Sequence, residues 1–328
     1  MVPKIGKIII ADLKKRSKKG LELAKQILQT EKIEYPTLRD ALEHYIAHWN
    51  DSTHPGLFSI ACEAAGGDPD DVILPQAALA MMAAAFDIHD DIIDKSEIKH
   101  KIATVYGKFD AEIALLLGDA FLIEGFKLLV DSTAILPKEK KREALETVKR
   151  LTFEVGNAHA LEVGLKERKN FAPDDCMKVI EMKAAGIELD MHLGALFGGG
   201  KDAEVEVLAR LGRILGILGT LREEFVDVFE IEELCQRIAV QDLPLPLLFA
   251  MQDQKAKRKV LNITSKPNIT KSDVAELVDV TLEAEHVVKL KEEMRLLIEE
   301  GLDLTSNLQR PKLQSILRLL LSFMLEDL

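Results

Sequence analysis

Apolar residues return every three or four positions along most of the chain, and the breaks between runs carry proline, glycine or clustered small polar residues. That period is one face of an α-helix. Residues 5–33 show it among lysines and stop at Tyr35-Pro36, because a residue before proline disfavours the α region. Thr37 is placed to cap a second helix over Leu38–Trp49. Asn50-Asp51-Ser52-Thr53-His54-Pro55-Gly56 has loop chemistry, and Leu57–Ala65 reads as a short helix stopped by Gly66-Gly67-Asp68-Pro69. Residues 72–94 then form one long helix opened by Asp70-Asp71. It is apolar nearly all round as far as Ala85, so it should be enclosed by other helices. A charged linker follows to Gly107. Further helices are expected over Phe109–Val130, Lys138–Leu165, Pro173–Leu196 (closed by Gly198-Gly199-Gly200), Ala203–Phe229, Asp242–Gln252, Ser272–Gly301 and Lys312–Leu325. No alternating β-branched run suggests a sheet. The expected class is all-α, a single domain over 1–328 with ten to thirteen long helices.

Composition narrows the function. The 328 residues are 47% hydrophobic, enough for a large core. A net charge of -12 excludes an ordinary nucleic-acid partner, which needs a clustered basic surface, but leaves room for a phosphorylated substrate held through metal ions. Cys62, Cys176 and Cys235 are odd in number and far apart, so neither a disulfide framework nor a zinc site is expected. The apolar stretches are too short or too interrupted to span a bilayer, and Met1–Lys19 is not a secretory signal, so a soluble protein of the reducing cytoplasm is expected.

The chemistry begins at Phe86-Asp87-Ile88-His89-Asp90-Asp91-Ile92-Ile93-Asp94. In one helix, Asp87, Asp90, Asp91 and Asp94 fall at i, i+3, i+4 and i+7 and share a face. Four like charges repel, and the apolar approach from Ala77 to Ala85 offers no cation to relieve them. A missing divalent ion is the economical answer, and hard oxygen ligands suit Mg²⁺; a solvated acidic face is the alternative. Glu223, Glu224 and Asp227 repeat the i, i+1, i+4 spacing after an apolar segment, with Gly212, Gly216 and Gly219 able to admit a close helix neighbour. Two such faces on different helices of a bundle could share one cage. The spacing alone is weak, because Glu299, Glu300 and Asp303 share it across Gly301, which is expected to end its helix.

His89-Asp90-Asp91-Ile92-Ile93-Asp94, Tyr106-Gly107, Gly118-Asp119, Gly156-Asn157, Lys183-Ala184-Ala185, Glu223-Glu224-Phe225-Val226-Asp227 and Pro244-Leu245-Pro246-Leu247-Leu248 occur in that order. The series resembles the trans-isoprenyl diphosphate synthases over about residues 50–252. The resemblance implies a bundle of long helices around a central cavity, the isoprenoid synthase fold, and a Mg²⁺-dependent prenyltransferase. It would join an allylic diphosphate to isopentenyl diphosphate. It also implies that Asp90, Asp91, Asp94, Glu223, Glu224 and Asp227 are metal ligands, that Lys183 touches a diphosphate, and that Arg237 stands for a family lysine facing it. Phe86 stands where the family sets the depth of an apolar tunnel, and a bulky ring there resembles the shorter-chain members. A homodimer is implied, with a heterodimer as the alternative.

The departures cluster on the accepting substrate. Family members carry Gly-Lys-Arg-x-Arg-Pro before the first acidic helix, where this chain has Asn50-Asp51-Ser52-Thr53-His54-Pro55. A later Arg-Arg-Gly is reduced to Lys99-His100-Lys101, Thr220 replaces a glutamine, and Asp242 a lysine. Each lost cation removes a charge-assisted contact of roughly 1.5–3 kcal/mol. Three outcomes stay open: elongation with Lys95, Lys99, Lys101 or His54 as substitute cations; ionisation of an allylic diphosphate with water or an internal double bond as acceptor, as in a terpene synthase or lyase; or a non-catalytic subunit of a heteromeric synthase.

Overall fold

The computed structural model describes residues 4–99, 101–166, 172–239, 242–266 and 268–328. In chain order the helices are α1 (Lys4–Thr30), α2 (Pro36–His48), α3 (Thr53–Ala65), α4 (Ile73–Ile93), α5 (Val105–Phe109), α6 (Ala111–Ser132), α7 (Lys138–Lys166), α8 (Pro173–Lys183), α9 (Ala185–Phe197) and α10 (Asp202–Phe229). They continue as α11 (Ile231–Ala239), α12 (Leu245–Ala250), α13 (Gln254–Thr264), α14 (Lys271–Glu283), α15 (Glu285–Ser306) and α16 (Pro311–Phe323). Between α4 and α5 stands a two-stranded antiparallel hairpin, β1 (Ile98–Lys99) with β2 (Ile102–Ala103). The protein is all-α, as its periodicity predicts.

By contact the chain gathers into two compact units: Met1–Phe153 with Gly186–Gly212 and Leu308–Leu313, and Glu154–Ala185 with Arg213–Asn307 and Gln314–Leu328. In the first unit α4 packs most extensively against α6 and then against α1. Ala77, Ala78, Ala80 and Met81 of α4 are fully buried. Small residues set the approach: a Cβ on Gly125 of α6 would stand 2.9 Å from the Ala78 carbonyl oxygen. The segment Pro69–Ile93 is apolar enough to cross a membrane by length and composition, but it is a core helix here, two-thirds buried. In the second unit α12 packs on α15, α14 and α8, and α13 on α14.

Several expectations needed correction. Pro36 opens α2 instead of ending its predecessor, because a proline in the first turn loses no hydrogen bond. For the same reason α3 starts at Thr53 and takes in His54-Pro55-Gly56, read above as loop. The linker after Lys95 folds into the hairpin and α5. The helices predicted over Pro173–Leu196 and Ser272–Gly301 each break at one residue, Ala184 and Ala284, and α11 and α13 form where none was foreseen, giving sixteen α-helices among the described residues. Gly301 lies inside α15, where a Cβ would press on Leu321, so it packs a helix instead of ending one. A Cβ on Gly219 would meet nothing within 4 Å, so only Gly212 and Gly216 of the α10 glycines mark close approaches.

Candidate active site

The first acidic cluster closes α4 in the first unit. Asp87 is exposed, Asp90 half-buried, Asp91 buried at 5% exposure, and Asp94 is the exposed C-cap residue, its N–H donating to the Asp90 carbonyl oxygen at 2.8 Å. These acids stand at the negative end of the helix dipole, which adds to their mutual repulsion. Relief comes from a cation that the helix itself lacks. Lys99 of β1 places its ammonium 2.6 Å from an Asp91 carboxylate oxygen and 3.0 Å from one of Asp87. The approach from Ala77 to Ala85 offers no cation, and the charge arrives instead from the neighbouring hairpin. Burial nevertheless pushes the Asp91 carboxyl up to about 6, against the pull of Lys99.

The hairpin is held at its base. The Thr104 hydroxyl donates to the Ser96 carbonyl oxygen at 2.6 Å, and the Ser96 N–H donates to that of Asp91 at 2.9 Å. Gly107 belongs to this anchoring, since a Cβ there would collide with the Glu97 backbone. Gly118-Asp119 has a similar logic. A Cβ on Gly118 would come 2.5 Å from Nε2 of His89, and that nitrogen lies 3.3 Å from the Asp119 carboxylate. The glycine makes room for the imidazole beside the acids. Gly156 has open space around it, and nothing in the structure explains the Gly156-Asn157 pair.

Where the family's cations were sought, the structure has an ion pair. His54, in the first turn of α3, bonds Asp190 of α9 through Nδ1 at 2.5 Å. Burial opposes the charge on His54, but the Asp190 carboxylate outweighs it and holds the imidazolium to about 9. Asp51 and Asp87 add to the pull, and the buried Tyr45 hydroxyl is raised well above its ordinary range by burial, then by Asp87, Asp51 and Asp91. Asp190 was not picked out from the sequence. Its one signal was a lone carboxylate inside the apolar run Leu189–Leu196, where burial without a partner would be prohibitive.

The second acidic cluster lies in the second unit, on the last turns of α10. Glu223 is exposed, while Glu224 and Asp227 are half-buried. Arg237 of α11 donates to Glu224 Oε1 at 2.9 Å, to Glu224 Oε2 at 3.3 Å and to Asp227 Oδ2 at 2.7 Å. Its Nε donates to the Asp242 carbonyl oxygen at 2.9 Å. Glu224 Oε2 also accepts the Leu245 N–H, at 2.6 Å, which ties the first turn of α12 to the cluster. Arg237 thus binds this cluster's own carboxylates. Lys183, at the end of α8, is half-buried and pairs with Glu162 of α7 at 2.5 Å. Lys101 is exposed at the hairpin turn with φ of 67°, Phe86 is half-buried one turn before Asp90, and His100 lies outside the described residues.

The donor sets decide what each cluster can hold. The α4 carboxylates are hard oxygen donors, two of which, Asp87 and Asp91, already meet at a single ammonium on a flexible stem, and such donors suit Mg²⁺. At the second cluster both Glu224 oxygens and one of Asp227 are engaged by protein donors, so a metal ion there competes with the positive charge of Arg237 for the same carboxylates.

Comparison with known proteins follows this geometry. A short chain isoprenyl diphosphate synthase of Methanothermobacter thermautotrophicus is 30% identical over 198 residues, 60% of each chain. Geranylgeranyl pyrophosphate synthase 7, chloroplastic, of Arabidopsis thaliana is 30% identical over 214 residues, 63% of this chain and 61% of its own. The chain thus spans about three-fifths of the length of these curated relatives. The crystal structure of geranylgeranyl pyrophosphate synthetase from Pyrococcus horikoshii superposes with a TM-score of 0.83 at 23% identity, covering 98% of this chain and 99% of that one, so the fold is the isoprenoid synthase fold. The profile of the family described as polyprenyl synthetase matches residues 26–281. With that match over most of its length, the chain belongs to the polyprenyl synthetase family.

Proposed function

We propose that the chain is a short-chain trans-prenyltransferase that moves an allylic group from its diphosphate to isopentenyl diphosphate, with Mg²⁺ held by Asp90, Asp91 and Asp94. The observation that carries this reading is the carboxylate cluster at the end of α4, with Asp91 buried at its centre and paired to a lysine, in a member of this family. Mg²⁺ bound there supplies Lewis-acid neutralisation of the departing diphosphate. The chain's own residues do the rest. Asp91, buried at 5% exposure, is the most sheltered of the acids, and Phe86 limits the length of the prenyl chain. Lys183 and Lys101 are proposed as diphosphate contacts, and the cytoplasm as the site of action, in keeping with three free cysteines.

A second reading has its own support. The only cation in the Asn50–Pro55 stretch, His54, is bound to Asp190, and Asp51 adds a negative charge beside it. That favours ionisation of an allylic diphosphate with another acceptor. Incubation with Mg²⁺ and dimethylallyl, geranyl or farnesyl diphosphate, with and without isopentenyl diphosphate, separates the two by mass spectrometry. A longer diphosphate that needs both substrates is expected; a hydrocarbon or alcohol formed without isopentenyl diphosphate would establish the second reading. Unchanged turnover in Asp91→Asn would sink both.

A homodimer is proposed through α6, whose Leu115, Leu116, Ile123 and Phe126 are 46–70% exposed, more apolar surface than one helix of a monomer ordinarily leaves in water. Light scattering should give twice the chain mass, and Ile123→Glu should halve it. A wild-type monomer at micromolar concentration would refute this.

A further inference from the structure

We infer that Arg237 is a built-in counter-cation that takes the place of a metal ion at the second acidic cluster, leaving the divalent ion of this chain to the first. The last clause rests on the function proposed above; the assignment of Arg237 does not.

The two clusters are neutralised in different ways. Lys99 is a point charge on a flexible stem, its side chain 39% exposed, with two carboxylate contacts. It can withdraw into water and leave Asp87 and Asp91 to another cation. Arg237 is 15% exposed and directs three N–H bonds to Glu224 and Asp227 and a fourth to the Asp242 carbonyl oxygen. A guanidinium stays charged at any accessible pH, and its planar fork matches a carboxylate in two places at once. It therefore cannot leave by losing its proton, and removing it breaks all four bonds together. Asp242 lies beside it as well, its carboxylate 3.9 Å from Arg237, so three acids share one fixed positive charge.

Mg²⁺ needs nearly ideal octahedral geometry and keeps most of its water. Both Glu224 oxygens already accept from protein donors, Oε1 from Arg237 and Oε2 from Arg237 and the Leu245 N–H, so an ion at Glu224 has to share it with a fixed guanidinium. The same bonds connect α10, α11 and the start of α12. The arginine thus does two things that a solvated metal ion would do less well here: it neutralises the acids and it fixes the three helix ends.

Binding of Mn²⁺ alone, followed by electron paramagnetic resonance of the free ion, tests this on wild type, Arg237→Gln, Asp91→Asn and the double variant. Wild-type binding should be lost in Asp91→Asn and restored in the double variant, where Glu224, Asp227 and Asp242 are released. Arg237→Gln alone should bind one more ion per chain than wild type. A double variant that takes up no Mn²⁺ overturns the inference, as does wild-type binding that survives Asp91→Asn but not Glu224→Gln. Uptake by the double variant with none by wild type upholds it while sinking the first-cluster reading. Should Arg237→Gln fail to fold, Arg237→Lys replaces it: Mn²⁺ should raise its melting temperature more than that of wild type, and an equal shift counts against the inference.

Discussion

Lys99 holds Asp91 at 2.6 Å from a hairpin that begins only a few residues past the last acid of α4. A helix that ends in four carboxylates needs a cation close by, and the chain supplies one locally. Lys99→Met should therefore lower stability in the absence of divalent ions by about 2–4 kcal/mol, since it leaves a buried carboxylate without its partner. Millimolar Mg²⁺ should return part of that loss. Urea unfolding with and without MgCl₂ measures both, and an unchanged midpoint would show that the pair contributes nothing.

Gly118 has a steric task beside the same site. The methyl group of Gly118→Ala would come 2.5 Å from His89 Nε2, forcing the imidazole or α6 to move. The expected loss is about 1–3 kcal/mol, seen as a lower melting temperature. The double variant Gly118→Ala, His89→Ala should recover most of it if the clash is with that ring, and additive losses would mean that it is not.

The His54–Asp190 pair gives the stability a pH dependence. The folded imidazole titrates near 9 because Asp190 holds its proton, whereas the unfolded one titrates near 6.5. Its contribution is thus complete below about 6.5 and lost as pH rises to about 9, on the order of 1–3 kcal/mol. Asp51 and Asp87 act on His54 in the same direction as Asp190. Denaturation across pH 6–10 should show this decline in wild type and a flatter profile in His54→Gln. Parallel profiles would place the titration elsewhere.

Phe86 is half-buried one turn ahead of Asp90. If its ring limits the tunnel, Phe86→Ala gives a longer prenyl product from the same substrates, read by mass spectrometry of the dephosphorylated alcohols. A shorter or unchanged product would remove Phe86 from that role.

Much of the fold was legible because it depends on local repetition. The Ala-rich α4, the long α7 and α10, and the acids at i, i+3, i+4 and i+7 follow from helical spacing that any segment carries with it. Helix ends were harder to read. Pro36 and Pro55 look like breakers but sit in first turns, where a missing N–H costs nothing, and Ala184 and Ala284 break helices without any local breaker. At Ala184 the interruption goes with close packing, since a Cβ on Gly216 would come 2.8 Å from the Ala184 side chain.

By itself the sequence determined the all-α class, the order of the motifs and the two acidic rows, since each is written in short-range spacing. Which charges meet was decided by tertiary structure. Lys99 on Asp91, His54 on Asp190 and Arg237 on Glu224 join residues from separate elements, up to 136 positions apart. The interaction energy of two charges depends on their separation in space and their shielding from water, and folding alone sets both.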